Sequence, residues 1–412
     1  MKIAKLTGFA ALDSRGRPTV AVQIILEDGR TFTARTPSGA STGKHEALEL
    51  RDSDGRGVNT AVKNVNEKIA PIFIGREADP YTLDVILTEI DPFEDHRNLG
   101  ANATLATSLA VAKAAGGENL ARFFDKSENL LIPMPMVNIL SGGAHAAKTM
   151  DIQDVLVIPK GAKSFNEAIA WITAIRECAA KNGKALGPAH LIADEGGLGL
   201  PFPSINSACD FISKCAQEVG LTMGNQVAIA LDIASTQLFD GAKYHLPVEE
   251  KSFTPDEFVK FISNLVTNQP IISIEDPFAE DDWNAWQIFT AKYEKKLQIV
   301  GDDLFTTNQK RLNKGLTENS ANSILIKVNQ NGLISSTKSV LESAKANGFA
   351  TIVSARSGET EDSWLADLAV GWQAEQIKVG STHGAERNSK WNRLLQLCAI
   401  EKTRFANPFQ EI

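Results

Sequence analysis

A series of short apolar segments, each ending in polar or charged residues, constrains the fold of this chain most strongly. Such segments are MVNIL (136–140), VLVIP (155–159), VAIALD (227–232), IISIED (271–276), LQIVGDD (297–303), SILIKVN (323–329) and TIVSARS (351–357). Near-continuous apolar runs of this length are typical of strands buried on both faces, as in parallel sheets. From Asp232 to Arg356 the polar ends recur at intervals of about 25 to 43 residues, close to one strand–helix unit each. The pattern predicts the α/β class and a (β/α)8-type barrel.

The first part of the chain has a different pattern of apolar and polar residues, which predicts a smaller α+β domain. Residues 1–36 alternate between apolar and polar side chains around the Asp28-Gly29 pair, which predicts antiparallel strands joined by a turn. The segment PSGASTG (37–43) is rich in residues that break helices and strands, so it predicts a loop. The predicted helices are 58–74 and 101–125, and the Ala-rich run of the second ends on Gly116-Gly117, a predicted C-cap. The predicted domains are 1–125, which caps the barrel, and 126–412, the barrel itself.

Carboxylates end three consecutive predicted strands: Asp232, Glu275 with Asp276, and Asp302 with Asp303. Catalytic groups of barrel enzymes lie at the C-terminal ends of the strands, so these side chains are expected to meet. The repulsion among them is costly unless a multivalent cation neutralises it, and an all-oxygen donor set favours Mg²⁺ over zinc. A single acidic residue at such a place more often caps a helix or turn, but three in succession favour a metal site.

Lys327 lies on the next predicted strand, inside an apolar run. A buried lysine beside a divalent metal is expected to have a lowered pKa, which would make it a general base near neutral pH. The alternative is a structural ion pair with one of the carboxylates.

Composition excludes several classes of function. The net charge of −8 and the pI near 5.4 argue against nucleic acid as a partner. The four cysteines form no CxxC pair, which argues against a zinc site and a disulfide scaffold. The N-terminal residues do not resemble a signal peptide and no apolar run reaches membrane-spanning length, so we expect a cytoplasmic protein without a membrane partner.

Longer motifs resemble enolase (phosphopyruvate hydratase) in family order from end to end. They include DSRGRPTV (13–20), PSGASTGKHEALELRD (37–52), LGANATLATSLA (99–110), DEGG (194–197), SIEDPFAEDDW (273–283), DDL (302–304), LIKVNQNG (325–332), RSGETED (356–362) and AEQIK (374–378). The resemblance implies an enolase-type barrel with a smaller N-terminal domain, and it implies that the 37–43 loop is a lid over the site.

The resemblance also implies roles that are carried over residue by residue. Two Mg²⁺ ions would be held by Asp232, Glu275 and Asp302 and, for the second ion, by Ser41 together with the substrate phosphate. The general base would be Lys327 and the general acid Glu195. The substrate-binding residues would be Arg356 and Ser357 at the phosphate, Lys378 and Gln153 at the carboxylate, and His145 and Asp154 beside them.

The sequence departs from the family pattern on the side of the C3 hydroxyl. Asp154 stands where the family has glutamate, Ala355 stands where it has histidine, and Lys148 adds a cation to the loop that follows Gly142-Gly143. Two interpretations remain open: a substrate with a larger or anionic substituent at C3, or drift within an ordinary enolase.

The resemblance implies a homodimer or a higher homo-oligomer. The charged pair that joins subunits in the family corresponds to Ala21 and Gln396, so the contacts must differ, and Glu386-Arg387 is expected to supply the retained part.

These observations predict a magnesium-dependent lyase that interconverts 2-phospho-D-glycerate and phosphoenolpyruvate. One alternative is a paralogue that dehydrates a related phosphorylated 2-hydroxy acid. A non-catalytic enolase-like binding protein is the alternative from another class. The expected partner in either enzyme is a small phosphorylated hydroxy acid.

Overall fold

The fold is described from a computed structural model that covers residues 1–40, 43–146, 148–187 and 191–410, with Ala144 and His145 described by their backbone alone. Two predicted site groups, Ser41 and the imidazole of His145, therefore lie outside the described residues.

The chain begins with a three-stranded antiparallel sheet formed by β1 (Ile3–Leu12), β2 (Pro18–Leu26) and β3 (Thr31–Arg35). The turn between the second and third strands contains Gly29 at φ +85°, a conformation that glycine adopts without steric cost. The alternation along β2 buries Val20, Val22 and Ile24 completely. The predicted meander is confirmed.

The helices that pack on this sheet are more divided than the sequence predicts. They are α1 (Asn59–Asn64), α2 (Ala70–Phe73), α3 (Pro80–Ile90), α4 (Ala101–Gly116) and α5 (Leu120–Phe124). A π-helical turn, Val65–Ile69, separates α1 from α2, and Gly117 at φ +62° ends α4. Gly117 is thus the predicted C-cap, but it divides the predicted 101–125 helix in two. The sequence analysis missed α3.

The remaining strands form a closed barrel and two small sheets. They are β4 (Leu130–Ile132), β5 (Met134–Ser141), β6 (Asp154–Ile158), β7 (Ala228–Asp232), β8 (Tyr244–Leu246), β9 (Lys251–Phe253), β10 (Ile271–Glu275), β11 (Gln298–Gly301), β12 (Ser323–Ile326), β13 (Ala350–Ser354), β14 (Gln376–Gly380) and β15 (Thr403–Phe405). The barrel order is β5-β6-β7-β10-β11-β12-β13-β14, whereas β8 pairs with β9 and β4 pairs with β15. The predicted eight-stranded α/β barrel is confirmed.

Helices surround the barrel between its strands. They are α6 (Phe165–Gly183), α7 (Ile205–Glu218), α8 (Pro255–Asn268), α9 (Trp283–Tyr293), α10 (Gln309–Glu318), α11 (Val328–Asn331), α12 (Ile334–Ala346), α13 (Trp364–Gly371) and α14 (Ala385–Ile400). None of the helices in the described ranges has both the length and the apolar character that crossing a bilayer requires.

One barrel strand runs against the direction expected from its apolar sequence. β6 is antiparallel to both β5 and β7, while the other neighbouring pairs in the barrel are parallel. The cause is the short connection from β5 to β6, residues 142–153, whose described residues form a short 3₁₀ turn and no crossover helix. The first residue of β6, Asp154, therefore lies beside the last residues of β5 and β7 at the same end of the barrel.

The barrel interior is a packed core. Its apolar cluster is drawn from seven of the eight strands and consists of Met134, Met136, Leu156, Ile158, Ala228, Ala230, Ile272, Val300, Leu325 and Ile352, with Phe409 from the C-terminal segment. The eighth strand contributes the buried Gln376, whose Oε1 accepts from Gln298 Nε2 on β11. Because the interior is filled, chemistry is confined to the mouth of the barrel.

The N-terminal part contacts the loops at the C-terminal ends of the barrel strands. Ser38 and Gly358 exchange two backbone hydrogen bonds of 2.8 and 2.9 Å. Thr104 Oγ1 donates to Gly332 O at 3.0 Å, and Ser335 N–H donates to Asp84 Oδ2 at 2.9 Å. Residues 37–40 thus lie at the mouth of the barrel.

Candidate active site

The C-terminal ends of the parallel barrel strands carry the charged residues that the sequence singles out. Asp232 and Glu275 are the last residues of β7 and β10 and lie opposite each other in the strand pairing. Asp302 follows β11, Lys327 follows β12, and Lys378 lies within β14. The barrel brings together side chains that are far apart in the chain.

Two of the carboxylates share one ammonium group. Lys378 Nζ lies 2.7 Å from both Asp232 Oδ2 and Glu275 Oε2, and all three side chains are at most 5 % exposed. Gln153 Nε2 adds a hydrogen bond of 3.0 Å to Asp232 Oδ2. Buried like charges 2.7 Å from one cation are stable because the cation offsets their repulsion.

The donor set fits Mg²⁺. The carboxylates of Asp232, Glu275 and Asp302 are hard oxygen donors, which Mg²⁺ prefers. Glu275 Oε1 is buried and accepts no hydrogen bond from the described residues, so it lacks the partner that a buried oxygen normally has. The donor chemistry therefore agrees with the magnesium site that the resemblance implies.

A second group of carboxylates lies next to the first. Ligand atoms of Asp276, Asp302 and Asp303 all fall within 4.8 Å of one another. The oxygens of Asp276 accept the backbone N–H groups of Asp302 (2.9 Å) and Asp303 (2.8 Å), so Asp276 fixes the turn that carries the other two. Burial and the charge of Asp302 raise the pKa of Asp303 to about 7.

Lys327 forms a close ion pair with Asp302 Oδ2, and Gln330 Nε2 donates to Asp302 Oδ1 at 3.0 Å. Burial is the largest single influence and lowers the pKa of Lys327, but the charges of Asp302 and Glu275 act together against it and the net direction is upward. The expectation of a lowered pKa concerns Lys327 beside a bound divalent metal, and it stays a prediction.

Arg356 follows β13 and is held by a residue from the N-terminal part. Its Nη1 donates to Glu46 Oε2 at 2.9 Å and its Nη2 to Glu46 Oε1 at 3.2 Å. Ser357 Oγ accepts the N–H of Ala40 at 2.7 Å. The sequence analysis did not identify Glu46, since a glutamate just beyond a glycine-rich loop gives no signal of burial.

A small cleft lies between these groups. It contains about 270 Å³ of empty space and is lined by Glu46, Gln153, Glu195, Asp302, Asp303, Lys327, Arg356 and Ser357. Predicted base, acid, metal ligand and phosphate-binding residues thus share one cavity. Both signs of charge line it, as a small, highly charged substrate requires.

The wall beside Glu195 is a buried polar network. Asp154 is fully buried, and its Oδ1 accepts from Ser141 Oγ at 2.7 Å and from Asn138 Nδ2. Burial and then the charge of Glu195 raise the pKa of Asp154 well above its ordinary value. Asn138 and Ser141, which the sequence analysis did not single out, keep this carboxyl fixed in place.

The other departures from the family pattern lie in different surroundings. Ala355 is buried after β13, and its N–H donates to Lys378 O at 2.8 Å. Lys148 is exposed at φ +59° and lines a separate cavity of about 840 Å³ empty volume. Gln153 is on the lining of both cavities.

Comparison with known families gives two matches that follow each other along the chain. Residues 3–125 match the family described as "Enolase, N-terminal domain", and residues 129–404 match "Enolase, C-terminal TIM barrel domain". The matches support a magnesium-dependent lyase of the enolase type. Because they cover nearly the whole sequence and agree with the closed barrel, the chain belongs to the enolase family.

Proposed function

We propose that this protein interconverts 2-phospho-D-glycerate and phosphoenolpyruvate by removing a proton from C2 and a hydroxyl group from C3. The convergence of Lys327 and the carboxylates Asp232, Glu275 and Asp302 at one mouth of the barrel carries the proposal. The cleft beside them is lined by side chains of both charges, which a small phosphorylated acid requires.

Lys327 is the proposed base. Its amine lies on a rigid strand end, next to the cleft, and takes the proton from C2. Bound Mg²⁺ would supply positive charge at the carboxylates, which stabilises the negative charge that develops on the substrate and lowers the pKa of Lys327.

Glu195 is the proposed acid, and it gives a proton to the departing C3 hydroxyl. It lines the cleft together with Lys327, which allows the two groups to act on adjacent substrate carbons. Arg356 and Ser357 bind the phosphate, and Lys378 with Gln153 binds the substrate carboxylate. Two Mg²⁺ ions, with Ser41 at the second, and a contribution from His145 remain part of the proposal by resemblance.

Exchange of the C2 proton tests the base directly. We expect Lys327→Ala to abolish exchange of the C2 hydrogen of 2-phosphoglycerate with deuterated water, while Mg²⁺ still binds. Exchange is followed by NMR and Mg²⁺ binding by calorimetry, with Lys338→Ala, a lysine on the outer helix α12, as the control. Exchange that survives in Lys327→Ala would refute the assignment of the base.

A second candidate is a paralogue acting on a phosphorylated 2-hydroxy acid with a larger or anionic C3 substituent. It is favoured by the second cavity at Gln153, which carries Lys148 on its lining, and by the small Ala355. Steady-state assay separates the candidates: turnover of 2-phosphoglycerate with a kcat of about 10–10³ s⁻¹ would reject the altered substrate.

We also propose a cytoplasmic location and a homo-oligomer. The expected contact through Arg387 is wrong, because that side chain is completely buried within its own chain. Exposed residues must form any subunit interface instead.

A further inference from the structure

The Glu46 carboxylate accepts hydrogen bonds from two nitrogens of the Arg356 guanidinium group. The bonds of 2.9 and 3.2 Å join both carboxylate oxygens to Nη1 and Nη2, in the two-point geometry that fixes the plane of a guanidinium group. Both side chains are almost completely buried, at 6 % and 4 % exposure. Burial and the two hydrogen bonds together fix the orientation of the guanidinium group relative to the carboxylate.

Glu46 is itself firmly held in place. Its Oε1 also accepts the N–H of Gly43 at 2.9 Å and a longer contact of 3.4 Å from Gln330 Nε2. The following residue, Ala47, donates its N–H to Gln330 O at 2.8 Å. Glu46 is thus attached to the segment after β12 that also contacts Asp302.

An anion that entered the cleft would meet Arg356 in one of two ways. It would displace Glu46 from the guanidinium, or it would bind an arginine that Glu46 continues to hold. Displacement would leave a buried carboxylate without its counter-charge, which is among the most destabilising changes in a protein interior. The second way avoids this cost, because the buried Glu46 carboxylate keeps its counter-charge.

The carboxylates at the magnesium site give Arg356 a competing position. Asp302 and Asp303 line the same cleft as Arg356 and carry the opposite charge, so they attract its guanidinium group. Without Glu46, Arg356 would be drawn towards these two acids. Asn329 Oδ1 accepts a hydrogen bond of 2.9 Å from Arg356 Nη1, so Asn329 is a second residue that holds the guanidinium group in place.

We infer that Glu46 is a positioning residue for phosphate recognition: it holds Arg356 away from the metal-site carboxylates and in the orientation that binds the phosphate group of the substrate. The inference rests on the proposed function for its substrate, but it concerns anion binding at Arg356, which can be measured without turnover.

The test compares Glu46→Gln with Glu49→Gln. Glutamine keeps the size of Glu46 but replaces one accepting oxygen with an amide N–H that faces the arginine donors. Glu49 is a matched control on the same segment, because its carboxylate pairs with Arg51 and accepts from Ser38 Oγ rather than holding Arg356. Inorganic phosphate is titrated calorimetrically into the Mg²⁺-loaded full-length protein, and KM and kcat are measured with 2-phosphoglycerate.

We expect Glu46→Gln to weaken phosphate binding and to raise KM by about tenfold or more, with a much smaller change in kcat, since the loss is one of substrate binding. Mg²⁺ affinity without substrate should remain that of the wild type, and Glu49→Gln should bind phosphate normally. Tighter phosphate binding by Glu46→Gln would show that Glu46 competes with the anion and would overturn the inference. Unchanged binding would overturn it as well.

Should Glu46→Gln fail to fold, Asn329→Ala removes a milder restraint on the same Nη1 and should weaken phosphate binding in the same direction; normal binding in that variant would contradict the inference. Should the wild-type protein bind phosphate but not turn over 2-phosphoglycerate, a loss of binding in Glu46→Gln would support the role of Glu46, and the proposed function alone would fail.

Discussion

At the scale of single residues, the site is a set of side chains of opposite charge that pair with one another. Lys378 lies between Asp232 and Glu275, and Lys327 pairs with Asp302. Each pair is buried, so each member depends on its partner for stability.

Removing Lys378 should expose this dependence. We expect Lys378→Met to destabilise the metal-free protein by roughly 3–5 kcal/mol, because two buried carboxylates lose their shared cation. Mg²⁺ should then stabilise the variant more than it stabilises the wild type. Thermal unfolding with and without Mg²⁺ measures both effects.

Lys390→Met is the matched control for this prediction. Lys390 is equally buried and pairs with Glu359 at 2.9 Å rather than with Asp232 or Glu275. Its loss should also destabilise the protein, but Mg²⁺ should not compensate for it. Equal rescue of both variants by Mg²⁺ would contradict a magnesium site at Asp232 and Glu275.

Asp84 couples stability to pH at the contact between α3 and α12. Burial raises the pKa of its carboxyl to about 6, from an ordinary value of 3.8. The folded protein therefore holds this proton more tightly than the unfolded chain. The resulting stabilisation is present in full below the ordinary pKa and is lost as the pH rises through about 6.

An Asp84→Asn variant has no carboxyl group that can ionise at this position. From pH 5 to pH 7.5, we expect the unfolding free energy of the wild type to fall relative to that of the variant by about 1.4 kcal/mol, one pKa unit of linkage. Urea denaturation at both pH values measures the difference. Glu89→Gln, at an exposed position on the same helix, should show no such divergence, and a constant difference for Asp84→Asn would refute the shifted pKa.

At the scale of elements, one arginine on α14 joins the loops that carry the site. Arg387 Nη1 donates to the carbonyls of Arg356 (2.6 Å) and Val379 (3.0 Å), and Nη2 donates to those of Asp194 (3.1 Å) and Ser357 (2.6 Å). The segment after β13, the end of β14 and the loop that bears Glu195 are therefore fixed to one helix.

Replacing Arg387 should loosen these segments together. We expect Arg387→Met to lower stability by about 2–5 kcal/mol, because several buried carbonyls lose a charged donor. Hydrogen–deuterium exchange should accelerate at residues 194–197 and 356–358. The control is Arg393→Met on the same helix, which pairs with Asp367 and should affect residues near 367 instead. Unchanged exchange at both site segments in Arg387→Met would exclude its role as their common anchor.

At the scale of the whole molecule, the N-terminal part and the barrel contribute to one cleft. Glu46 comes from the first and Asp302, Lys327 and Arg356 from the second. A ligand that binds these residues should stabilise the entire protein, since it binds only the folded state.

Ligand-dependent stability distinguishes an enzyme from a non-catalytic binding protein of the same fold. We expect Mg²⁺ with 2-phosphoglycerate, at about 100 times its Kd, to add about 2.7 kcal/mol to the free energy of unfolding. Calorimetry measures the shift, with Mg²⁺ alone and 2-phosphoglycerate alone as controls. A protein whose unfolding ignores both ligands would favour the non-catalytic alternative.

The sequence by itself determined that the chain forms a barrel and which strand ends carry charged residues. Apolar runs with polar ends depend only on neighbouring residues, so Asp232, Glu275, Asp302 and Lys327 can be assigned to one mouth of the barrel from the order of residues alone. Only the tertiary structure decided what those charges touch. The reversed direction of β6 and the contact between Glu46 and Arg356, 310 residues apart, follow from chain connectivity and packing, because no local pattern specifies which distant groups become buried together.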